Sequence, residues 1–199
     1  LLTSPPANWP GLWASCGRAT LGHRVEIMAE DGRILPIGER GEIVVRGDLV
    51  FPGYFKNPSA TAEVSNHGWH HTGDIGHKDE AGFIYIVDRK KDMIVTGGFN
   101  VFSAEVEQVI SGHPDVEDCA VVAVPDAKWG EAVKAVVQLK PGRTLDQAEL
   151  IELVRSSLGS VHAPKTVDFV AQLPRSSNGK VLKRDVRQAY WIGSDRQVG

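Results

Sequence analysis

Asp88-Arg89-Lys90-Lys91-Asp92-Met93-Ile94-Val95-Thr96-Gly97-Gly98-Phe99-Asn100-Val101 is the stretch on which the reading of this chain turns. It opens on a run of charged residues that cannot form a core strand, yet Met93-Ile94-Val95 follow at once. Paired glycines then free the backbone for positive φ or for close approach of another molecule. Before this stretch the sequence reads as short strands, and after it strands and helices alternate. A charged joint and a Gly-Gly loop, placed where the architecture changes, read either as a solvated loop or as a hinge beside a ligand path.

Upstream, the β period dominates. His23-Arg24-Val25-Glu26-Ile27 alternates polar and apolar residues, and Gly41-Glu42-Ile43-Val44-Val45-Arg46 does so less cleanly. Asp31-Gly32, Gly38-Glu39-Arg40-Gly41 and Arg46-Gly47-Asp48 supply turns, and Gly82-Phe83-Ile84-Tyr85-Ile86-Val87 reads as a buried strand. One helix is expected after Asn57, with Asn57 as N-cap and Pro58 at the first helical position. Short strands joined by glycine turns point to a small barrel or sandwich.

Downstream, Ser103 is expected to cap a helix carrying Val106, Val109 and Ile110, with Gly112 and Pro114 ending it. Residues 119–124 form a continuous apolar strand, and residues 131–140 a second one with Val133, Ala135, Val137 and Leu139 on one face. Thr144-x-x-Gln147 resembles a capping box for a helix bearing Leu150, Ile151, Val154 and Leu158. A third strand is expected at 166–170. A last helix should turn Leu182, Val186, Ala189 and Tyr190 inward and leave Lys183, Arg184 and Arg187 in water. The fold class expected is α+β. A small β-barrel-like subdomain over 1–90 would be followed by a compact three-stranded α/β domain over 91–199.

Of 199 residues, 42% are hydrophobic and 24% charged, which excludes disorder and fibres. A net charge of −3 gives no reason to expect nucleic acid or an acidic membrane as partner. Apolar runs are strand-sized, and no apolar signal core is present. Cys16 and Cys119 make neither a disulfide framework nor a metal spacing. The chain reads as cytoplasmic. It begins on Leu1 with three prolines among its first eleven residues, and so reads as a piece of something longer.

Candidate chemistry sits in polar clusters. In His70-His71-Thr72-Gly73-Asp74, the carboxylate after a glycine turn can accept both hydroxyls of a ribose, or can simply cap the turn. His67, His70 and His71 lack a carboxylate or cysteine at ligand spacing, so no metal is assigned to them. Arg89 can pair with Asp88 or Asp92, or reach a nucleotide. In Pro174-Arg175-Ser176-Ser177-Asn178-Gly179-Lys180, a polar loop ends on one lysine. It suits an anion gripped in one step and released in another, or it is an exposed loop lysine. It is not a Walker loop, because Pro174 stands where the first glycine is needed and Val181 replaces the Ser/Thr. Trp129 is either a core plug or a stacking surface.

Together these pieces resemble the C-terminal part of an adenylate-forming enzyme, of the acyl-CoA synthetase, luciferase and adenylation-domain superfamily. The resemblance is carried by Ser15-Cys16-Gly17-Arg18, Gly41 to Gly47, Gly53-Tyr54, Gly68 to Asp74, Asp88 to Asp92, Gly97-Gly98-Phe99-Asn100-Val101 and Pro174-Arg175-x-x-x-Gly179-Lys180, in that order. Each motif is weak alone; the ordered set is specific. The resemblance implies that Asp74 binds the ribose hydroxyls of ATP, assisted by Arg89. It implies that Lys91 is a hinge about which a mobile C-terminal domain swings between two half-reactions. Lys180 would reach the α-phosphate and the substrate carboxylate. Gly97, Gly98 and Phe99 would line the CoA pantetheine route, with Trp129 facing the CoA nucleotide.

Departures are Ser176 where Thr is usual, and Val161-His162-Ala163-Pro164-Lys165 in place of a Tyr-Lys-x-Pro pattern. The family's phosphate loop and its magnesium-holding glutamate do not occur in this sequence and are expected in a large N-terminal domain upstream, together with the acyl pocket. The expectation is therefore a parent acyl-CoA synthetase using a carboxylic acid, ATP, Mg²⁺ and CoA, with these 199 residues inactive by themselves. A carrier-protein-loading adenylation domain, a luciferase-like oxygenase and a non-catalytic truncated module remain as alternatives.

Overall fold

A computed structural model describes residues 2–4, 12 and 14–192; the rest of the proline-rich opening and residues 193–199 lie outside the described residues. The chain divides into two compact units, Leu1–Lys90 and Lys91–Gly199.

The first unit is built on strands β1 (Leu2–Thr3), β2 (Gly17–Ala19), β3 (His23–Met28), β4 (Gly41–Gly47), β5 (Ser65–Asn66), β6 (Trp69–Lys78) and β7 (Phe83–Arg89). They form one antiparallel sheet in the order β1-β2-β7-β6-β4-β3, with β5 also paired to β6. No pairing among the described residues joins β3 back to β1, so the expected barrel is instead an open sheet. Closure needs staggered strands of adequate length, and β1 has only two residues. Val25, Ile27, Ile43, Val45 and Ile84 make the core. Helix α1 (Pro58–Val64) starts as the sequence requires: Asn57 Oδ1 accepts the Ala60 N–H at 3.0 Å and Pro58 opens the first turn, yet no residue of the helix is buried.

The second unit begins with a 3₁₀ turn, Lys90–Asp92, that straddles the division. It continues through β8 (Ile94–Thr96), β9 (Phe99–Val101), α2 (Ser103–Ser111), β10 (Val116–Asp126), β11 (Gly130–Leu139), α3 (Gln147–Leu158), β12 (Thr166–Val170) and α4 (Lys183–Gln188). Its sheet runs β10-β11-β8-β9, with β12 parallel to β11. It therefore has five strands rather than three. The additional pair, β8 and β9, is three residues per strand, too short to show a period of two.

Alternate residues of β10 explain its unbroken apolar run. Cys119, Val121 and Ala123 join the cluster under α2 and α3, while Ala120 and Val122 face Leu173 and Val186 on the opposite side. A strand covered on both faces has no polar side to alternate. Cys119 lies 3.4 Å from Ser111 Oγ, and burial pushes its thiol pKa up to about 11.

Three local expectations are corrected. Ser103 is the first helical residue of α2, fully buried, with Phe102 at the N-cap position and no side-chain cap bond there. α3 is capped by Asp146, which accepts the Ala148 N–H at 3.1 Å, so the cap falls at Asp146 rather than Thr144. Lys183 is not in water: its ammonium lies 2.8 Å from both Ser103 Oγ and Glu107 Oε2, tying α4 to α2. Glu107 in turn accepts the Val121 N–H at 2.8 Å. Beyond α4, Tyr190 donates to Asp168 Oδ2 at 2.6 Å, and Lys134 bonds Asp168 Oδ1 at 2.8 Å. Burial, then the Asp168 bond, drives the Tyr190 pKa upward.

Candidate functional site

In the first unit the site is made by a break in register. Glu42 pairs with Ile75 and Val44 with His71, so Ile43 alone opposes Thr72-Gly73-Asp74. Bulges of this kind bend a strand and re-aim its side chains. The bulge is held by its own polar groups. Thr72 Oγ1 donates to the Ile43 carbonyl at 2.7 Å and accepts the Asp74 N–H at 3.1 Å. Gly73, at φ +74, donates its N–H to Glu42 Oε1 at 3.2 Å. Asp74 is then directly opposite Arg89 on β7, with Arg89 Nε 3.4 Å from Asp74 Oδ1. The result is a partly exposed carboxylate flanked by a guanidinium. It offers two acceptor oxygens to a vicinal diol and one cation to a nearby anion.

Beneath the bulge Glu42 is 8% exposed and gathers three donors: Gly73 N–H, His71 Nδ1 at 2.9 Å and Lys90 Nζ at 2.9 Å. Burial works to raise the Glu42 pKa, but the bonds from Lys90 and His71 outweigh it and hold the carboxyl below its ordinary value. His70 packs edge-on against Phe51 at 5.0 Å; burial, then the neighbouring His71, lowers its pKa. His67 faces the His71 ring at 6.5 Å. No group of three or more metal-binding side chains gathers among the described residues.

In the second unit Thr96 pairs with Phe99, leaving Gly97 and Gly98 as a two-residue turn at φ +57 and +83. Both positive values match the tight turn that suits strand twist and that glycines adopt without strain. Gly97 is also required by space, because a Cβ there would lie 2.6 Å from Trp129 Cε3. The Gly97 N–H donates to the Trp129 carbonyl at 3.1 Å. Trp129 is 42% exposed, so it is not a core plug. Its indole takes the Lys128 ammonium 4.4 Å and the Lys165 ammonium 5.6 Å from the ring. Beside it opens a largely apolar pocket of about 220 Å³, to which Gly97, Phe99, Trp129, Val161 and Lys165 contribute. Gly98 and Lys180 do not line it. Asp126 fixes the loop, accepting the Trp129 and Lys128 N–H groups and pairing with Lys165 at 3.0 Å. The Trp129 N–H, then Lys165, depress its pKa.

The Lys180 loop is a knitted hairpin rather than a slack segment. Leu182 N–H donates to the Pro174 carbonyl at 2.9 Å and Ser176 N–H to the Lys180 carbonyl at 2.8 Å. Arg175 pairs with Asp118 and donates to the Gly179 carbonyl at 2.9 Å. This holds Lys180 exposed, three residues before α4, with no ion pair among the described residues. Lys91 is exposed, and its carbonyl accepts Arg187 Nη1 at 3.0 Å.

The sequence reading missed Glu42, Lys90, Arg187, Lys128 and Lys165. A charged residue inside the apolar run of β4 was the available signal for Glu42. Lys165 lies in the segment that departs from the family pattern.

The Asp74–Arg89 pair on its bulge, the Gly97–Gly98 turn against Trp129 and the exposed Lys180 on its braced hairpin all fall at positions that carry the resemblance to adenylate-forming enzymes. Residues 105–180 match the family described as AMP-binding enzyme C-terminal domain. It is 48% identical over 192 residues to the medium/long-chain-fatty-acid–CoA ligase FadD8 of Mycobacterium tuberculosis, covering 93% of this chain and 34% of that protein. It is 46% identical over 166 residues to a feruloyl-CoA synthase of Amycolatopsis, covering 83% and 34% respectively. Among solved structures, ATP-bound MatB from Rhodopseudomonas palustris superposes with a TM-score of 0.82 at 39% identity, over 89% of this chain and 36% of that one. The amide bond synthetase McbA from Marinactinospora thermotolerans gives 0.80 at 41% identity, over 90% and 37%. The chain thus spans about a third of the length of the curated relatives it matches. No helix among the described residues is long and apolar enough to cross a membrane.

Proposed function

We propose that these residues are the C-terminal part of an ATP-dependent acyl-CoA synthetase. A carboxylate oxygen attacks the α-phosphorus of ATP, forming acyl-AMP and expelling pyrophosphate. The CoA thiolate then attacks the acyl carbonyl, forming the thioester and expelling AMP. The observation that carries this reading is the Asp74–Arg89 pair on its bulge. Asp74 accepts the ribose hydroxyls, and Arg89 steadies that carboxylate and faces the nucleotide. Lys180 supplies the charge that lets two anionic groups meet at the α-phosphate. Lys91 is the hinge of a mobile second unit. Gly97, Gly98 and Phe99 border the pantetheine route, and Trp129, with Lys128 and Lys165 over its ring, meets the CoA nucleotide. Mg²⁺ accompanies ATP in this reading, and no residue of this chain is assigned to it.

Similarity to an amide bond synthetase supports a second reading, in which the acyl acceptor is not CoA. One experiment tests the first. In the full-length protein Lys180→Ala should lower acyl-AMP formation, read by pyrophosphate exchange, by roughly 10²–10³. Thioester formation from supplied acyl-AMP and CoA should be spared. Equal loss in both steps would remove Lys180 from its adenylation role, and absence of CoA thioester with an intact adenylation step would favour the second reading. The 199 residues by themselves are expected to show no exchange, since they lack the surroundings that orient the triphosphate.

A further inference from the structure

The chain divides between Lys90 and Lys91, inside the 3₁₀ turn. Each flank of that bond is held by a side chain of its own unit. Upstream, the Lys90 ammonium is 2.9 Å from Glu42 Oε2, and Glu42 is buried on β4 beneath the bulge. Downstream, Arg187 Nη1 on α4 donates to the Lys91 carbonyl at 3.0 Å. α4 is itself fixed by buried Val186 and by Lys183, bonded to Ser103 and Glu107. Both partners of the first contact lie in unit one and both partners of the second in unit two. Neither contact has to break when the units reorient.

We infer that these contacts are hinge clamps. The first carries Lys90 Cα with the β sheet, and the second carries the Lys91–Asp92 peptide plane with α4. Because peptide planes are rigid, ψ of Lys90 and φ and ψ of Lys91 are left as the bonds about which the chain turns. This rests on the hinge reading of Lys91 and goes beyond it: Glu42, Lys90 and Arg187 become positioning residues that confine the swing. A charged joint without anchors would share its rotation among several residues, and each added soft residue multiplies the orientations reached. Charge-assisted bonds suit the task because they hold geometry without apolar cover.

The test is backbone ¹⁵N relaxation dispersion and residual dipolar couplings on this 199-residue chain. Hinge motion of domains falls in the microsecond-to-millisecond range that dispersion reads. In the unmodified protein the exchange contribution should peak at Lys91 and be small at Asp88, Arg89 and Met93. The couplings of the two units should require separate alignment tensors. Lys90→Met should spread the exchange back to Arg89, and Arg187→Ala forward to Asp92 and Met93, with Arg187→Lys restoring part of the profile. Unchanged profiles in both Lys90→Met and Arg187→Ala overturn the clamps. A single tensor together with no exchange at Lys91 in the unmodified chain overturns the hinge itself, whatever the variants do. Both substituted side chains are at least partly exposed, so the remaining amide spectrum serves as the check that each variant is folded.

Discussion

The two units use the same kinds of residue to different extents. The second covers its central strands on both faces, with one cluster under α2 and α3 and another against Leu173 and Val186. Among its described residues the first has one cluster of five buried apolar residues, with Met28, Val44, Ile75 and Phe83 buried outside it, while Leu21, Leu49 and Phe55 stand 73% or more exposed. Its buried polar residues include Glu42 and Asp88, set beside the bulge that carries Asp74. Both units bury polar groups, Glu42 and Asp88 in the first against Ser103 and Lys134 in the second, so what separates them is the extent of apolar cover. Dense apolar cover resists opening, and the second unit has more of it.

The largest expected effect tests that contrast directly. Leu150, fully buried beneath β10 and β11, should cost about 2–5 kcal/mol when cut to alanine, read as a lower urea midpoint for the second unit alone. In the unmodified chain, amide exchange should show the first unit opening before the second; the reverse order would break the comparison. Gly97→Val comes next. It forces a branched residue to φ +57 and drives its Cβ into Trp129, for a loss of about 2–4 kcal/mol and a displaced Trp129 indole resonance.

Helix caps sharpen the contrast at smaller scale. Asp146→Ala should lower the stability of the second unit by about 1 kcal/mol, because α3 buries Leu150 and Val154. Asn57→Ala removes an equivalent bond, yet α1 buries nothing, so the loss should appear as local fraying in amide exchange with an unmoved unfolding midpoint. Acid gives the smallest expected effect. The Glu42 pKa is lower folded than unfolded, so its contribution is complete above the ordinary carboxylate value of about 4.3 and is lost as pH falls through the folded value. The urea midpoint of the first unit should drop in that window, with a shallower slope in Glu42→Gln. The Asp168 carboxyl is also lowered because its bonds to Lys134 and Tyr190 outweigh burial, but its side chain is 41% exposed against 9% for the Glu42 side chain, so the second unit should respond less.

What the sequence disclosed follows the reach of each interaction. Asn57-Pro58, the alternation of β3 and the double-faced run of β10 are local, and all three were legible. The α3 cap was misplaced by two residues because Thr144 and Asp146 both have cap chemistry and only backbone geometry chooses between them. Lys183 was placed in water because its partners lie 76 and 80 residues away. The open edge of the first sheet was hidden for the same reason, since closure depends on whether the first strand meets the third. The motifs named Asp74, Arg89, Gly97 and Trp129; Glu42 lay inside one without being singled out, because its bonds to His71 and Lys90 reach 29 and 48 residues along the chain, and the Arg187 bond to Lys91 reaches 96.

Each unit also contains one cysteine, and they differ as chemical reporters. With its thiol pKa near 11, Cys119 holds on the order of one thiolate in 10⁴ at neutral pH, and it is buried in the second unit. Cys16 is half-buried in the first. An alkylating reagent added to the untouched chain would therefore run two clocks at once, one for each unit. The ratio of their rates would record, without any introduced label, how independently the two halves breathe.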